Sequence, residues 1–383
     1  MSSSNAIAKG EAFPDSGPIR VMVVDDSAVI RGLVRQWLDS EPDINVVFTA
    51  ANGKSAVSNL VSTGAEVVIL DIEMPIMDGM VALPLLLQAA PGVKILMAST
   101  LTARNAEISL TALSRGAADY IPKPQAFRDT SGAGEYRREI VAKVKALGVA
   151  RRRVRLAQRG TPSAARPVAA AGVGLPMPKP QIKWRPLSPI RPKVVVIGSS
   201  TGGPQALFKV LTALPEDFTL PVVITQHMPA TFTAILADHI RRATGRDCVE
   251  VQGGEVVTRG HIYIAKGGHH LLLEKKDGEV VLRLDDGPME SFCRPAVDPM
   301  FRSAAAVYGP SALAVVLTGM GNDGLKGSEV LINAGSSLIA QNEASSVVWG
   351  MPGAVANAGL CSAVLDLDEI APAITRVAAG AKP

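Results

Sequence analysis

Three observations in the sequence predict an α/β protein built from two doubly wound parallel sheets. The chain has 383 residues, which is long for one domain and typical of two. In both halves, short apolar runs alternate with segments whose apolar residues recur at helical spacing. Between the halves, a stretch rich in Pro, Ala and basic residues interrupts this alternation, as a linker does.

The first half contains five apolar runs that we interpret as strands. After the first of them, Ser27 is placed to cap a helix. Five strands with helices between them, in about 110 residues, indicate a sheet of flavodoxin-like size. The predicted strands lie at residues 19–24, 46–50, 67–70, 94–98 and 119–121.

The basic charge of the chain is concentrated between its two halves. Between residues 137 and 193 there are fifteen Lys and Arg and one acidic residue, whereas the whole chain has a net charge of only +4. Because this stretch has almost no aromatic residues, we interpret it as a solvated linker and expect no nucleic-acid binding. The pattern predicts a disordered N-terminus, a first domain, a linker and a second domain at 1–18, 19–135, 136–192 and 193–380.

The composition argues against several other classes of protein. No apolar run is long enough to cross a membrane, and the N-terminus lacks the apolar stretch of a signal peptide. The three cysteines, Cys248, Cys293 and Cys361, have no paired spacing that would indicate disulfides or a zinc site. We therefore predict a cytoplasmic protein without membrane insertion.

Five polar side chains stand at the ends of four of the five strands predicted in the first half. Asp25 and Asp26 follow the first strand, and Asp71 follows the third. Because the carboxyl ends of parallel strands share one edge of the sheet, we expect these carboxylates to meet and to bind Mg²⁺. Ser99 and Lys123, after the fourth and fifth strands, add a hydroxyl and a positive charge. This set fits phosphoryl transfer to a carboxylate better than five separate helix caps.

Three motifs of the first half resemble those of two-component receiver domains, namely VDDS at 24–27, DIEMPIMDG at 71–79 and IPKP at 121–124. The resemblance covers about residues 19 to 127. It implies that a histidine kinase donates a phosphoryl group to Asp71, which binds Mg²⁺ together with Asp25 and Asp26. It also implies three switch residues that respond to the phosphoryl group, Ser99, Tyr120 and Lys123.

The second half carries three motifs that each follow a strand-like run, GSSTG at 198–202, QHMP at 226–229 and GMGNDG at 319–324. They supply Ser200, His227 and Asp323, the residue types of a nucleophilic hydrolase, which parallel strands would deliver to one edge. The first motif fits the G-x-S-x-G elbow that presents a serine at the start of a helix. A nucleotide-binding loop is the alternative, although the motif lacks the G-x-G-x-x-G spacing and the lysine of a P-loop.

The chain order Ser, His, Asp differs from the orders of α/β-hydrolases and of the common serine proteases. Residues 193–366 instead resemble the catalytic domain of the CheB chemotaxis methylesterases. The resemblance implies a Rossmann-like methylesterase domain that needs no cofactor for ester hydrolysis. It implies as substrates glutamate methyl esters on chemoreceptors, and receptor glutamines that are deamidated. The motifs that carry it are ITQHMP at 224–229, LTGMGNDG at 317–324 and AQNEASSVVWGMP at 340–352.

The resemblance also implies a role for each residue of the site. Ser200 attacks the ester carbonyl, His227 is general base and then general acid, and Asp323 fixes the imidazole tautomer. Backbone N–H groups near Met320, helped by Thr201, are the candidates for the oxyanion site.

Cys293 is a rival nucleophile that we disfavour, because neither a helix start nor a base adjoins it in the sequence. The stretch 289–293, MESFC, is less polar than the family pattern leads us to expect, which would alter receptor contacts. We expect the unphosphorylated receiver to pack over the catalytic edge and phosphorylation to open it. Two alternatives stay open: a phosphorylation-dependent binding module without catalysis, and an esterase for some other substrate.

Overall fold

The computed structural model describes residues 17–100, 102–124, 130–159 and 184–381. Most of the predicted disordered N-terminus, and residues 160–183 of the predicted linker, lie outside the described residues. The described residues form two parallel sheets and one antiparallel hairpin, which confirms the predicted fold class. None of their helices has both the length and the apolar character that crossing a bilayer requires.

The first domain alternates strands with helices, and each predicted strand is present. Its elements are β1 (Ile19–Val24), α1 (Ala28–Asp39), β2 (Ile44–Ala50), α2 (Gly53–Thr63), β3 (Val67–Asp71), α3 (Gly79–Ala89), β4 (Lys94–Thr100), α4 (Ala103–Ser114), β5 (Asp119–Lys123) and α5 (Thr130–Arg159).

The five strands are parallel, in the order β2-β1-β3-β4-β5, and both faces of the sheet are covered. Alternate residues of β1 show this: Met22 and Val24 pack with α2, α3 and α4, whereas Val21 and Val23 pack with α1 and α5. A strand buried on both faces reads as a continuous apolar run, which is why these strands could be recognised from the sequence.

Helix α5 crosses the position at which we predicted the linker to begin. Tyr136, Ile140, Val144 and Leu147 recur at helical spacing and are buried against the first sheet. The first domain's last helix therefore continues past residue 136, where we predicted the linker to begin. The basic residues that suggested a linker include those on the solvent face of this helix, because composition alone does not separate the two faces.

The second domain has a larger sheet, an inserted hairpin and helices between the strands. Its elements are β6 (Val194–Ser199), α6 (Gly203–Thr212), β7 (Val222–Gln226), α7 (Ala230–Thr244), β8 (Cys248–Glu250), β9 (Ile262–Ile264), β10 (His270–Lys276), β11 (Glu279–Asp285), α8 (Val297–Tyr308), β12 (Ala312–Val316), α9 (Leu325–Asn333), β13 (Ser337–Gln341), α10 (Met351–Asn357), β14 (Ala363–Leu365) and α11 (Leu367–Ala378).

The order of this seven-stranded parallel sheet is β14-β13-β12-β6-β7-β9-β8. The chain runs from β6 towards one edge, passes through the β10–β11 hairpin and α8, and returns at β12 on the other side of β6. The direction of winding therefore reverses between β6 and β12. In open α/β sheets, ligands bind at the carboxyl ends of strands at such a reversal.

The two domains touch through helices that follow the motifs of the second domain. Helix α4 contacts α6 and α7, and the ring of Tyr120 stacks on that of Phe232 in α7, with centroids 4.5 Å apart. The side-chain amide of Gln205 in α6 donates to the carbonyl of Leu113, at 2.7 Å, and to that of Ala117. One continuous apolar cluster includes residues of both domains.

Candidate functional site

Ser200 and His227 directly follow neighbouring strands. In the ladder between β6 and β7, Ser199 pairs with Gln226, so Ser200 and His227 come next to each other at the carboxyl edge. The backbone N–H of His227 donates to the carbonyl of Ser199 at 3.0 Å. This adjacency is what the spacing of the two motifs predicts.

Asp323 reaches His227 from the other side of the winding reversal, between β12 and α9. Its Oδ2 lies 2.6 Å from Nε2 of His227. The same carboxylate caps α8, because the backbone N–H groups of Val297 and Asp298 donate to Oδ2 and Oδ1 at 2.6 and 3.0 Å. A helix N-terminus stabilises an ionised carboxylate. Asp323 is therefore held as a buried, anionic partner of the imidazole.

The pKa values of this pair follow from its contacts. Burial alone would raise the pKa of Asp323, but hydrogen bonds from His227 and the α8 backbone hold it below its usual range. Burial alone would lower the pKa of His227, but hydrogen bonds with Asp323 and Cys293 outweigh it and raise that pKa to about 10. These contacts favour the imidazolium form of His227, in which both ring nitrogens carry a proton, at neutral pH.

The thiol of Cys293 occupies the other side of the imidazole, with Sγ 3.3 Å from Nδ1 of His227. Our reason for disfavouring Cys293 is therefore wrong, because the fold brings it to a base that is 66 positions away in the chain. No hydrogen bond joins the Ser200 hydroxyl to His227 within the described ranges. In this structure Nδ1, the nitrogen of His227 that would accept a proton, is within hydrogen-bonding distance of the thiol of Cys293.

Sequence reasoning did not identify Gln226 as part of the site. Its side chain is buried and joins the ends of β6 and β7. The hydroxyl of Ser199 donates to Oε1 at 2.7 Å, and Nε2 donates to the carbonyls of Ser200 and His227 at 2.9 and 3.0 Å. The position of Gln226 directly before His227 is the only sequence signal for this role.

Gly319 allows the loop after β12 to approach Ser200 closely. A Cβ atom on Gly319 would lie 2.9 Å from the Ser200 Cβ, closer than such atoms come in proteins. In the part of the chain that the structure describes, the backbone N–H groups of Thr201 and Met320 donate no hydrogen bond, whereas that of Ser200 donates to Thr318. Within the described residues, these two N–H groups therefore have no hydrogen-bond acceptor.

The predicted acidic cluster forms at the carboxyl edge of the first sheet. Asp25, Asp26 and Asp71 each offer an oxygen within 4.8 Å of the others, an arrangement typical of a Mg²⁺ site. The ammonium of Lys123 lies 2.6 Å from Asp25 Oδ2 and 2.7 Å from Asp71 Oδ2. Burial, opposed by Lys123, raises the pKa of Asp71 to about 6.

The other two predicted switch residues lie near this cluster but bond elsewhere. The hydroxyl of Ser99, inside β4, lies 3.0 Å from that of Ser109. Tyr120, inside β5, is buried in the contact between the domains, and this burial raises the pKa of its phenol well above the usual value. Tyr120 is thus placed between the receiver edge and the second domain.

Two family models match the chain, one for each domain. The model described as the response regulator receiver domain matches residues 21–131, and the model described as CheB methylesterase matches residues 195–374. Both matches agree with the order of the two sheets.

Curated relatives match nearly the whole chain. The protein-glutamate methylesterase/protein-glutamine glutaminase of group 2 operon of Rhodospirillum centenum is 55% identical, covering 95% of each chain. Protein-glutamate methylesterase/protein-glutamine glutaminase 1 of Paramagnetospirillum magneticum is 54% identical, covering 96% of this chain and 98% of the relative. The crystal structure of the Thermotoga maritima CheB methylesterase catalytic domain is 39% identical, covers 48% of this chain and 98% of its own, and has a TM-score of 0.47. The chain therefore belongs to the CheB family, protein-glutamate methylesterases/protein-glutamine glutaminases with a response regulator receiver domain.

Proposed function

We propose that Ser200 is the nucleophile for methyl-ester hydrolysis on chemotaxis receptors, with His227 as general base and Asp323 as its orienting partner. The observation that carries this proposal is the 2.6 Å contact between His227 and Asp323 at the strand end beside Ser200. Because Asp323 binds Nε2, Nδ1 is the nitrogen that accepts and returns a proton.

In the first step, Nδ1 of His227 takes the hydroxyl proton of Ser200 while Oγ attacks the ester carbonyl carbon. The N–H groups of Thr201 and Met320 donate to the oxyanion. The carbon–methoxy bond then breaks, and the proton on Nδ1 leaves with methanol. A water molecule, deprotonated by Nδ1 of His227, then attacks the glutamyl ester of Ser200. The bond between that carbonyl carbon and Oγ breaks, and the proton on Nδ1 returns to Oγ. With a glutamine substrate, ammonia leaves instead of methanol.

The contact between Cys293 and His227 favours one other candidate, in which the thiol is the nucleophile. Ser200 has the stronger support, because it lies three residues before the start of α6 and beside the two free N–H groups. Both features stabilise the negative charge that develops on a carbonyl oxygen. In this proposal Cys293 must release Nδ1 before Ser200 can use it.

Methanol release from methylated receptor distinguishes the two nucleophiles. We expect Ser200→Ala to lower the rate by about 1,000-fold or more, and Cys293→Ala to retain turnover. A fluorophosphonate should label Ser200 in the wild type and in Cys293→Ala, as located by mass spectrometry. Activity that survives in Ser200→Ala and disappears in Cys293→Ala would assign the reaction to the thiol. Circular dichroism checks that each variant is folded.

We further infer that a chemotaxis histidine kinase phosphorylates Asp71. Asp25 and Asp26 would hold Mg²⁺ together with Asp71, and the bound ion would neutralise charge on the phosphoryl group. Lys123, which already contacts Asp71, would pair with a phosphoryl oxygen. Ser99, one residue beyond the ladder partner of Asp71 in β4, would follow that group. The three free cysteines agree with a cytoplasmic site of action.

Phosphorylation would reach the catalytic residues through the helices that follow them. Helix α6 begins three residues after Ser200, and α7 begins three residues after His227. Both helices contact the receiver, α6 through Gln205 and α7 through the stacking of Phe232 on Tyr120. We expected the receiver to pack over the catalytic edge. Among the described residues, the receiver contacts the helices that flank this edge. It also contacts the loop after β13, where Val347 packs against the receiver core and Glu343 pairs with Arg153 at 3.0 Å. We propose control by movement of α6 and α7.

A further inference from the structure

The loop before α8 carries an apolar surface that the proposed reaction does not use. Phe292 is 90% exposed, the highest value among the large apolar side chains of the described residues. Met289, on the same loop, is 60% exposed. Single exposed apolar residues are common on protein surfaces, so exposure alone does not indicate a role.

This loop is held firmly in place. The buried imidazole of His270 bonds to the backbone at both ends of loop 288–296, at 2.9 and 3.1 Å. Within the loop, Glu290 and Cys293 exchange two backbone hydrogen bonds. Both carboxylate oxygens of Glu290 accept from the guanidinium of Arg302 in α8, at 2.5 and 2.9 Å. The exposed ring is therefore displayed by an anchored loop.

The backbone at Phe292 and at the residue before it has an unfavourable conformation. Ser291 and Phe292 have φ values of +51° and +61°, in the left-handed region that bulky residues rarely adopt. Such conformations persist only where surrounding contacts enforce them, and they concentrate at functional sites. Because the ring stays exposed, its burial within this chain does not offset the strain.

The ring also lies close to the reacting groups. The residue after Phe292 is Cys293, whose sulfur is 3.3 Å from Nδ1 of His227. Bond lengths therefore place the Cα atom of Phe292 within about 10 Å of that nitrogen. A glutamate whose ester reaches Ser200 brings its own backbone to a similar distance, so the residues that flank it pass over the loop.

We propose that Phe292, with Met289 beside it, is a substrate-positioning residue that contacts an apolar side chain of the substrate protein. The contact falls within about 10 Å of the modified glutamate. The occupant is the ester-bearing segment itself, because the residue after Phe292, Cys293, contacts the proposed catalytic base His227 and the substrate is a protein. The inference rests on the proposed function, in which that ester is delivered to Ser200.

Steady-state methanol release from methylated receptor tests this role. We expect Phe292→Ala to lower kcat/KM about tenfold, mainly by raising KM, because the side chain binds substrate and takes no part in bond breaking. Phe292→Leu, which keeps an apolar anchor, should retain most of the activity. Val330→Ala, at an exposed apolar position on α9 outside the loop, is the matched control and should behave like the wild type.

The rate of fluorophosphonate labelling at Ser200 separates positioning from support of the loop. Phe292→Ala should label within about twofold of the wild type. An equal loss of labelling and of methanol release would show that Phe292 only supports His227, and an unchanged KM would also overturn the proposal. An altered oligomeric state with unchanged kcat/KM would assign the surface to a second copy of the chain. Absent labelling in the wild type would instead contradict the role of Ser200, while the effect on KM remains measurable.

Discussion

The carboxylate of Asp323 joins three separate parts of the second domain. It accepts from the imidazole of His227, from two backbone N–H groups at the start of α8, and from the N–H of Gly324 at 2.8 Å. Rotation of the carboxylate would leave buried donors without partners, which is unfavourable. The orientation of the imidazole is therefore fixed by the fold before substrate binds, as preorganised catalysis requires.

The raised pKa of His227 predicts how activity depends on pH. A general base must be neutral, and each pH unit below its pKa reduces the neutral fraction about tenfold. We therefore expect kcat/KM for methanol release to rise with pH from 7 towards about 10. Cys293→Ala removes one of the two hydrogen bonds that raise this pKa. We therefore expect kcat/KM of this variant to rise at lower pH than kcat/KM of the wild type.

The same pH series in Ser200→Ala supplies the blank for spontaneous ester hydrolysis. A wild-type profile that is already flat above pH 7 would show that the imidazole is neutral in the working enzyme. Coincident profiles for the wild type and Cys293→Ala would show that the thiol does not act on His227.

At the scale of elements, the parallel strands made most of the fold and part of the site predictable. A strand buried on both faces is a continuous apolar run, and consecutive parallel strands end at one edge. These two rules were enough to place Ser200 beside His227, and Asp25 beside Asp71. The contact of Asp323 with His227 depends on β12 returning to the side of β6, and the family resemblance implied it where spacing did not.

The features that were not predicted depend on packing between distant segments. Cys293 reaches His227 because its loop is attached to α8 and β10, neither of which the motifs describe. Gln226 was identified only in the structure, because its role depends on the register between β6 and β7. The predicted start of the linker lies inside α5, since a basic helix with one apolar face has nearly the composition of a linker.

A substitution in helix α6 can test whether the receiver controls the activity of the catalytic domain. Gln205→Ala removes the two hydrogen bonds from α6 to the receiver carbonyls. If these bonds restrain the catalytic domain, the activity of unphosphorylated protein should rise about fivefold, and the response to a phosphodonor should shrink by a similar factor. The control is Thr212→Ala on the same helix, which loses hydrogen bonds only within α6. Identical basal rates in the wild type and Gln205→Ala would contradict this route of control.

The whole molecule contains two sheets with reactive groups at their carboxyl edges, and a shared apolar cluster connects the two domains. In the receiver site, Lys123 pairs with acidic residues. In the catalytic site, the imidazole of His227 contacts the thiol of Cys293. Tyr120 and Phe232 lie between the two sites. We propose that phosphorylation of Asp71 increases the rate at which Ser200 hydrolyses receptor methyl esters.

The most direct test measures methanol release from methylated receptor by the full chain, in Mg²⁺, with and without a small-molecule phosphodonor. We expect the phosphodonor to raise the wild-type rate about tenfold or more. We also expect that Asp71→Asn does not respond and that Ser200→Ala is inactive under both conditions. Equal wild-type rates with and without the phosphodonor would contradict the phosphorylation switch, and methanol release by Ser200→Ala would contradict the serine mechanism.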